Sequence, residues 1–315
     1  GNILKIDYFN HNFYILDKNR LLIFDSEGNF LNALDKIGRG HEEYIEIRDF
    51  FVDEEGSIFI LSYKNIVVYD SNLRFLYRQK IKLRQNTGFD LNPVRFLFVD
   101  NNYYYFYSGS FGIENFNGKE YGLYCANKKG KLIEKYIPVK YNYTHGHQNF
   151  YRSNNIINFT NTYGNDTIYQ IIGDKLTPKF YIKFVNSNIR EKDMMEDRGT
   201  IFEKIITNNL NGNIKDVYET DVYLSFKFTH GRIPKVAVYN KLSENLKVFN
   251  ISQSQPIPFL FISGIMKNKF YTVLDSYVLN DIIKKGYKSY ILEHGVDIPK
   301  ANDNPIIAIY YLNLK

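Results

Sequence analysis

One segment of this chain repeats itself without a gap. Residues 12–31 read NFYILDKNRLLIFDSEGNFL and residues 57–76 read SIFILSYKNIVVYDSNLRFL. Ile15, Leu16, Asp25, Ser26, Phe30 and Leu31 thus recur at one constant offset as Ile60, Leu61, Asp70, Ser71, Phe75 and Leu76. A self-match at a period of about 40–50 residues, built from short β-rich runs and polar turns, is the mark of propeller blades. Each blade is a small sheet that cannot bury its faces alone and must stack on its neighbours. The repeat constrains architecture strongly and activity hardly at all.

The residues inside the repeat say how a blade is built. Phe13, Tyr14, Ile15 and Leu16 form a continuous apolar run, as an inner strand covered on both faces should, and residues 21–24 form its hairpin partner. Asp25, Ser26, Glu27 and Gly28 then supply turn chemistry before residues 29–34 start another strand. Looser copies follow: 103–107 with 123–133, then 155–184, then 222–228 with 235–249, and finally 259–274 completed by 306–312. The expected fold is all-β, a six-bladed β-propeller of four-stranded antiparallel blades. It should occupy residues 1–315 as a single domain, since no linker rich in Pro, Gly or Ser divides the chain. Two amphipathic stretches, 189–208 and 277–287, break the β pattern and predict short helices decorating one rim, with Gly199 and Gly286 as their breakers.

Composition narrows function mainly by exclusion. The 28 Tyr and 25 Phe suit half-buried pleated surfaces between stacked sheets. The net charge of +6, from 40 basic against 34 acidic residues, is spread along the chain, so no stripe suited to nucleic acid is expected. Lys128, Lys129 and Lys131 surround Gly130 and read as turn residues. The single cysteine, Cys125, lies in an apolar strand and reads as a buried thiol. No apolar run reaches the ~18 residues of a membrane-spanning helix. The start at Gly1 fits a chain whose leader has been removed.

The order of inner strand, FDSEGNFL turn, GRGHEEY and then a strand leading into FVDEEGSIFIL resembles the six-bladed propeller family abundant in Bacteroides-type gut bacteria, related to NHL-repeat propellers. Members carry a loop of the form G-x-G-P-G-E-Y between the first two blades, matched here by Gly38, Arg39, Gly40, His41, Glu42, Glu43 and Tyr44. His41 and Glu42 replace the Pro and Gly of that pattern. The closing DNPIIAIYYLNLK is similar to the family's final strand. The resemblance implies an exported protein of the periplasm or outer membrane, often held through a lipid anchor beside the cleaved leader, and it implies no particular chemistry.

Candidate ligand-binding residues fall in three places. The loop 38–44 concentrates Arg39, His41, Glu43 and Tyr44, which serve either to bind a ligand or to brace two blades. His145 and His147 form an HGH sequence with Arg152 close behind, and His230 and Arg232 flank a second polar turn. Three converging imidazoles would suffice for Zn²⁺, but two histidines one residue apart point to opposite sides of an extended chain, so no metal or other cofactor is expected. The 53–56 run is acidic without the alternating oxygen ligands of a calcium loop and reads as a hairpin turn. HExxH, GxSxG, phosphate-loop and paired-cysteine patterns are absent. Two readings remain. One is a non-catalytic envelope propeller binding a glycan, peptide or protein partner at one face. The other is a propeller-type lyase or hydrolase, with or without a metal ion, with its site at the channel mouth.

Overall fold

A computed structural model describes residues 3–82, 95–99, 102–107, 121–138, 150–153, 156–160, 166–185, 188, 198–251, 262–284, 300 and 305–311. The strands fall into six antiparallel sheets. Blade one holds β1 (Ile3–Phe9), β2 (Asn12–Asp17), β3 (Arg20–Asp25) and β4 (Phe30–Leu34). Blade two holds β5 (Asp49–Val52), β6 (Ile58–Ser62), β7 (Asn65–Tyr69) and β8 (Phe75–Lys80). Blade three holds β9 (Arg95–Val99), β10 (Tyr103–Tyr107), β11 (Tyr121–Asn127) and β12 (Leu132–Pro138). Blade four holds β13 (Phe150–Ser153), β14 (Ile156–Thr160), β15 (Thr167–Ile172) and β16 (Lys175–Tyr181). Blade five holds β17 (Asn211–Glu219), β18 (Tyr223–His230), β19 (Ile233–Asn240) and β20 (Leu246–Asn250). Blade six shows three strands among the described residues, β21 (Ile262–Met266), β22 (Lys269–Leu274) and β23 (Ile306–Tyr310).

The apolar runs 13–16 and 58–61 prove to be the second strands of their blades, each flanked by a partner on either side. That position explains their unbroken apolar character: both faces pack on adjacent blades, and Phe13, Leu16, Ile58, Ile60 and Leu61 are all buried. The innermost strands are instead the first ones. β1 packs beside β21, β17 beside β13 and β21, and β5 beside β9.

Interlocked clusters carry the packing round the ring. Tyr14, Leu21 and Tyr69 join blades one and two, and Phe59, Tyr104, Tyr124 and Phe159 join blades two, three and four. Tyr151, Ile168 and Phe226 join four and five, and Tyr218 with Phe270 joins five and six. Closure comes from Phe13, Ile6 and Ile15 on Tyr271, whose ring meets Phe13 edge-on at 5.5 Å. Cys125 is buried within the second of these clusters.

The turns explain why Asp25 and Asp70 recur. Asp25 Oδ1 accepts from the N–H groups of Glu27 (3.0 Å) and Asn29 (2.7 Å). Asp70 does the same for Asn72 (2.9 Å) and Arg74 (2.8 Å), and Asp53 for Glu55 (3.1 Å) and Ser57 (2.7 Å). Asn127 repeats the pattern with Lys129 and Lys131, both at 3.0 Å. Each of these side chains closes its own hairpin by capping the turn's amides. The fourth turn residue is left-handed: Gly28 at φ +89°, Gly56 at +82° and Gly130 at +71°. Leu73 occupies that place in the second repeat at φ +62°, and its buried side chain packs among Tyr44, Ile47 and Tyr69, which offsets the backbone cost.

Strand order also divides the connections by length. We call the face where each blade's first strand begins the upper face. Lower connections, from first to second and third to fourth strands, never exceed five residues, the longest being 53–57, 70–74 and 241–245. The long connections 35–48, 81–94, 108–120, 139–149, 182–210, 251–261 and 275–305 all lead to or from the upper ends of first and second strands. The two described helices belong to this set: α1 (Arg198–Thr207) and α2 (Ser276–Ile282). Gly199 is the second residue of α1 as described, and α2 opens on Asp275, whose carboxylate accepts from Val278 N–H at 2.7 Å. Residues 189–197 and Gly286 lie outside the described residues.

Candidate functional site

The loop 38–44 is tied down on every side. Tyr44 is buried, its backbone pairs with Lys36 and Gly38 at 2.9 Å each, and its hydroxyl lies 2.9 Å from Asn19 O and 3.0 Å from Leu34 O. The same oxygen accepts from Lys36 N–H at 3.1 Å, and burial pushes the phenol up to about 12. Glu43 folds back to accept from Gly40 N–H at 2.7 Å, filling the space a side chain on Gly38 would need. Arg78 of β8 donates to Gly40 O at 3.1 Å and also to Glu43 O, while Tyr69 donates to Glu42 O at 2.6 Å. These contacts brace blade one against blade two. Arg39 and His41 remain exposed, His41 resting edge-on against Phe75 with ring centroids 4.8 Å apart.

The remaining candidates separate. His145 and His147 lie outside the described residues, within the connection 139–149. His230 ends β18 with Nδ1 2.9 Å from Asn211 Oδ1, and Arg232 is exposed in the next turn. Arg152, by contrast, faces the central channel. His230 and Arg232 do not line that channel, so the structure does not gather them with Arg152.

The channel itself is a cavity of about 490 Å³ walled by the first strands. Its charged lining comprises Lys5 and Asp7 from β1, Asp49 from β5, Arg152 from β13, Asp216 from β17 and Lys227 from β18, with Tyr218 and Tyr271 among the rings beside them. Two pairs neutralise themselves: Lys5 Nζ to Asp49 Oδ1 at 2.7 Å and Lys227 Nζ to Asp216 Oδ2 at 2.9 Å. Asp216 sits at φ +48° where the β17–β18 register shifts, a bulge that re-aims a side chain. Burial raises the Asp7 carboxyl above the usual range, with Lys5, Arg152 and the Tyr8 N–H opposing that shift and Asp49 adding to it. Burial likewise lowers Arg152, against the attraction of Asp7, Glu54 and Asp53. The Arg152 guanidinium donates to Val52 O at 2.9 Å and lies over the Phe9 and Phe51 rings at 4.2 and 5.0 Å.

Apart from Arg152, sequence reasoning missed this set. The signal was present in part: charged residues stand in the first strands of blades one, two, four and five, whereas β21 carries none and Lys227 comes from β18. A second buried cluster, Glu219 between Lys179 (2.7 Å) and Lys241 (3.0 Å), pins blade four to blade five and lies outside the channel lining. Among the described residues no group of three or more His, Cys, Asp or Glu is placed to hold a metal ion.

Fold and site together define a six-bladed propeller with a charged central chamber and one elaborated face. Residues 1–311 match the family described as Domain of unknown function (DUF4934), and the chain belongs to it. Among solved structures, a Bacteroides fragilis protein named as exported is similar at 18% identity and a TM-score of 0.79, over 98% of this chain and 90% of that one. The WD40 domain of Neurospora crassa Pan2 matches at 11% identity and a TM-score of 0.45, over 86% and 72%. The extracellular domain of a hybrid two-component system from B. thetaiotaomicron matches at 15% and 0.42, over 85% and 33%. No curated protein matches the chain.

Proposed function

We propose that this chain is an exported, non-catalytic propeller of the cell envelope, residues 1–315 acting as one domain, which binds a glycan, peptide or protein partner on its upper face. The observation that carries this reading is the length asymmetry: every long connection opens on the upper face, while the lower turns spend their polar side chains on their own amides. Recognition is drawn from loops on a rigid scaffold because loop sequence can change without disturbing the blades. The exported name of the Bacteroides fragilis relative supports export here. No described helix is long and apolar enough to cross a membrane, and attachment through a lipid outside residues 1–315 belongs to the same reading.

An enzyme of the lyase or hydrolase type is the second reading, favoured by the unpaired charges of the channel. Against it stands the separation of Arg152 from His230 and Arg232. A thermal-shift screen against mono- and oligosaccharides, peptidoglycan fragments and divalent metals separates the two, because a ligand of the folded state raises the midpoint. A sugar or peptide shift that survives EDTA supports the binding module, and loss of that shift on truncating an upper connection, with Asp7→Asn unaffected, places it on the upper face. A metal-dependent shift lost in His145→Ala/His147→Ala contradicts it and favours the enzyme.

A further inference from the structure

The channel holds six described charged side chains, and four of them satisfy each other as the pairs Lys5–Asp49 and Lys227–Asp216. Asp7 and Arg152 are left over. Asp7 accepts only from the Tyr8 N–H, and Arg152 spends one of its five donors on Val52 O; among the described residues neither has another hydrogen-bond partner, and they share no ion pair. They nevertheless face one cavity and feel each other's charge. Opposite charges held apart inside a walled chamber are costly unless something placed between them satisfies both.

We propose that the central channel binds a small zwitterion, a free amino acid or a dipeptide, with its carboxylate on the Arg152 fork and its ammonium on Asp7. The Arg152 guanidinium is already held in place over Phe9 and Phe51, which leaves less freedom to be lost when a carboxylate takes its fork. The cavity of about 490 Å³ lies within the ~300–1,000 Å³ of small-molecule sites. A singly charged ligand satisfies only one of the two groups. A neutral sugar satisfies neither charge. The site is also distinct from the elaborated face, since Phe9 and Val52, which flank Arg152, end β1 and β5 at the lower face.

The test is calorimetric titration of the whole chain with the proteinogenic amino acids and simple dipeptides such as glycylglycine, alongside N-acetylglycylglycine, glycylglycinamide and glucuronic acid. At least one zwitterion is expected to bind, and blocking either its amine or its carboxylate should weaken it at least tenfold. Asp7→Asn and Arg152→Gln should each have the same effect. Should Arg152→Gln fail to fold, the blocked ligands decide the question on the parent protein. Absence of binding across the panel, equal affinity for blocked and free forms, affinity unchanged in both variants, or binding of glucuronic acid alone would each overturn the proposal. None of these results bears on upper-face recognition, which is read from a separate screen.

Discussion

Replacing Tyr44 by Phe isolates the brace between the first two blades. The ring is buried and keeps its packing, so the change removes one oxygen and three polar contacts. The phenol can donate to one of the two carbonyls at a time, a bond worth about 1 kcal/mol net. The Lys36 N–H loses its acceptor, which costs roughly 1–2 kcal/mol if no water replaces it. The sum is about 2–3 kcal/mol. A domain of this size shifts by roughly 2 °C per kcal/mol, so the expected fall in midpoint is about 4–6 °C. His41→Ala, on the same loop, removes only an exposed edge contact with Phe75 and should cost under about 1 kcal/mol. Urea unfolding and thermal melts of the three proteins give both numbers. A Tyr44→Phe variant within about 0.5 kcal/mol of the parent at unchanged slope, or a His41→Ala variant that loses more than Tyr44→Phe, would refute the brace.

Three further perturbations follow from the geometry. Ile60→Asp puts a charge in a strand covered on both faces and should leave the chain unfolded or aggregated on expression; a soluble variant with the parent's midpoint would contradict the blade assignment. Asp7→Asn fixes the neutral form that burial favours. Because the folded-state pKa is raised, the wild-type carboxyl costs stability only as pH rises through that value. The variant should therefore melt higher than wild type at pH 7 to 8 and equally near pH 3, and a lower midpoint at pH 7 would show Lys5 and Arg152 outweighing burial. Gly130→Ala and Gly28→Ala both force a left-handed alanine, at roughly 1–2 kcal/mol. A Cβ on Gly130 also overlaps the Lys80 carbonyl, whereas Gly28 faces open space, so equal losses in chemical denaturation would count against the docking of turn 128–131 on blade two.

The sequence revealed the second strands and the Asx-capped turns because both leave local signatures: an unbroken apolar run, and an Asp or Asn three residues before a left-handed position. The first strands were hidden for a physical reason. β1 reads ILKIDYF, and its Lys5 and Asp7 look like solvent-facing residues of a half-buried strand, since periodicity reports polarity without saying whether the polar side meets bulk water or a shared channel. The charged chamber could have been inferred only by aligning the strand before each apolar run across blades. Tyr44 posed the reverse difficulty. A loop rich in Gly, Arg, His and Glu suits binding and bracing alike, and the hydrogen bonds that make it a brace join residues far apart in sequence, such as Arg78 and Asn19.

The central claim is that recognition belongs to the upper face. Hydrogen–deuterium exchange of the protein with and without the glycan or peptide selected by the thermal screen tests it directly. The account predicts new protection in the upper connections, among them 35–48, 81–94 and 139–149. Protection confined to the lower turns 26–29, 53–57, 70–74 and 128–131 would contradict it.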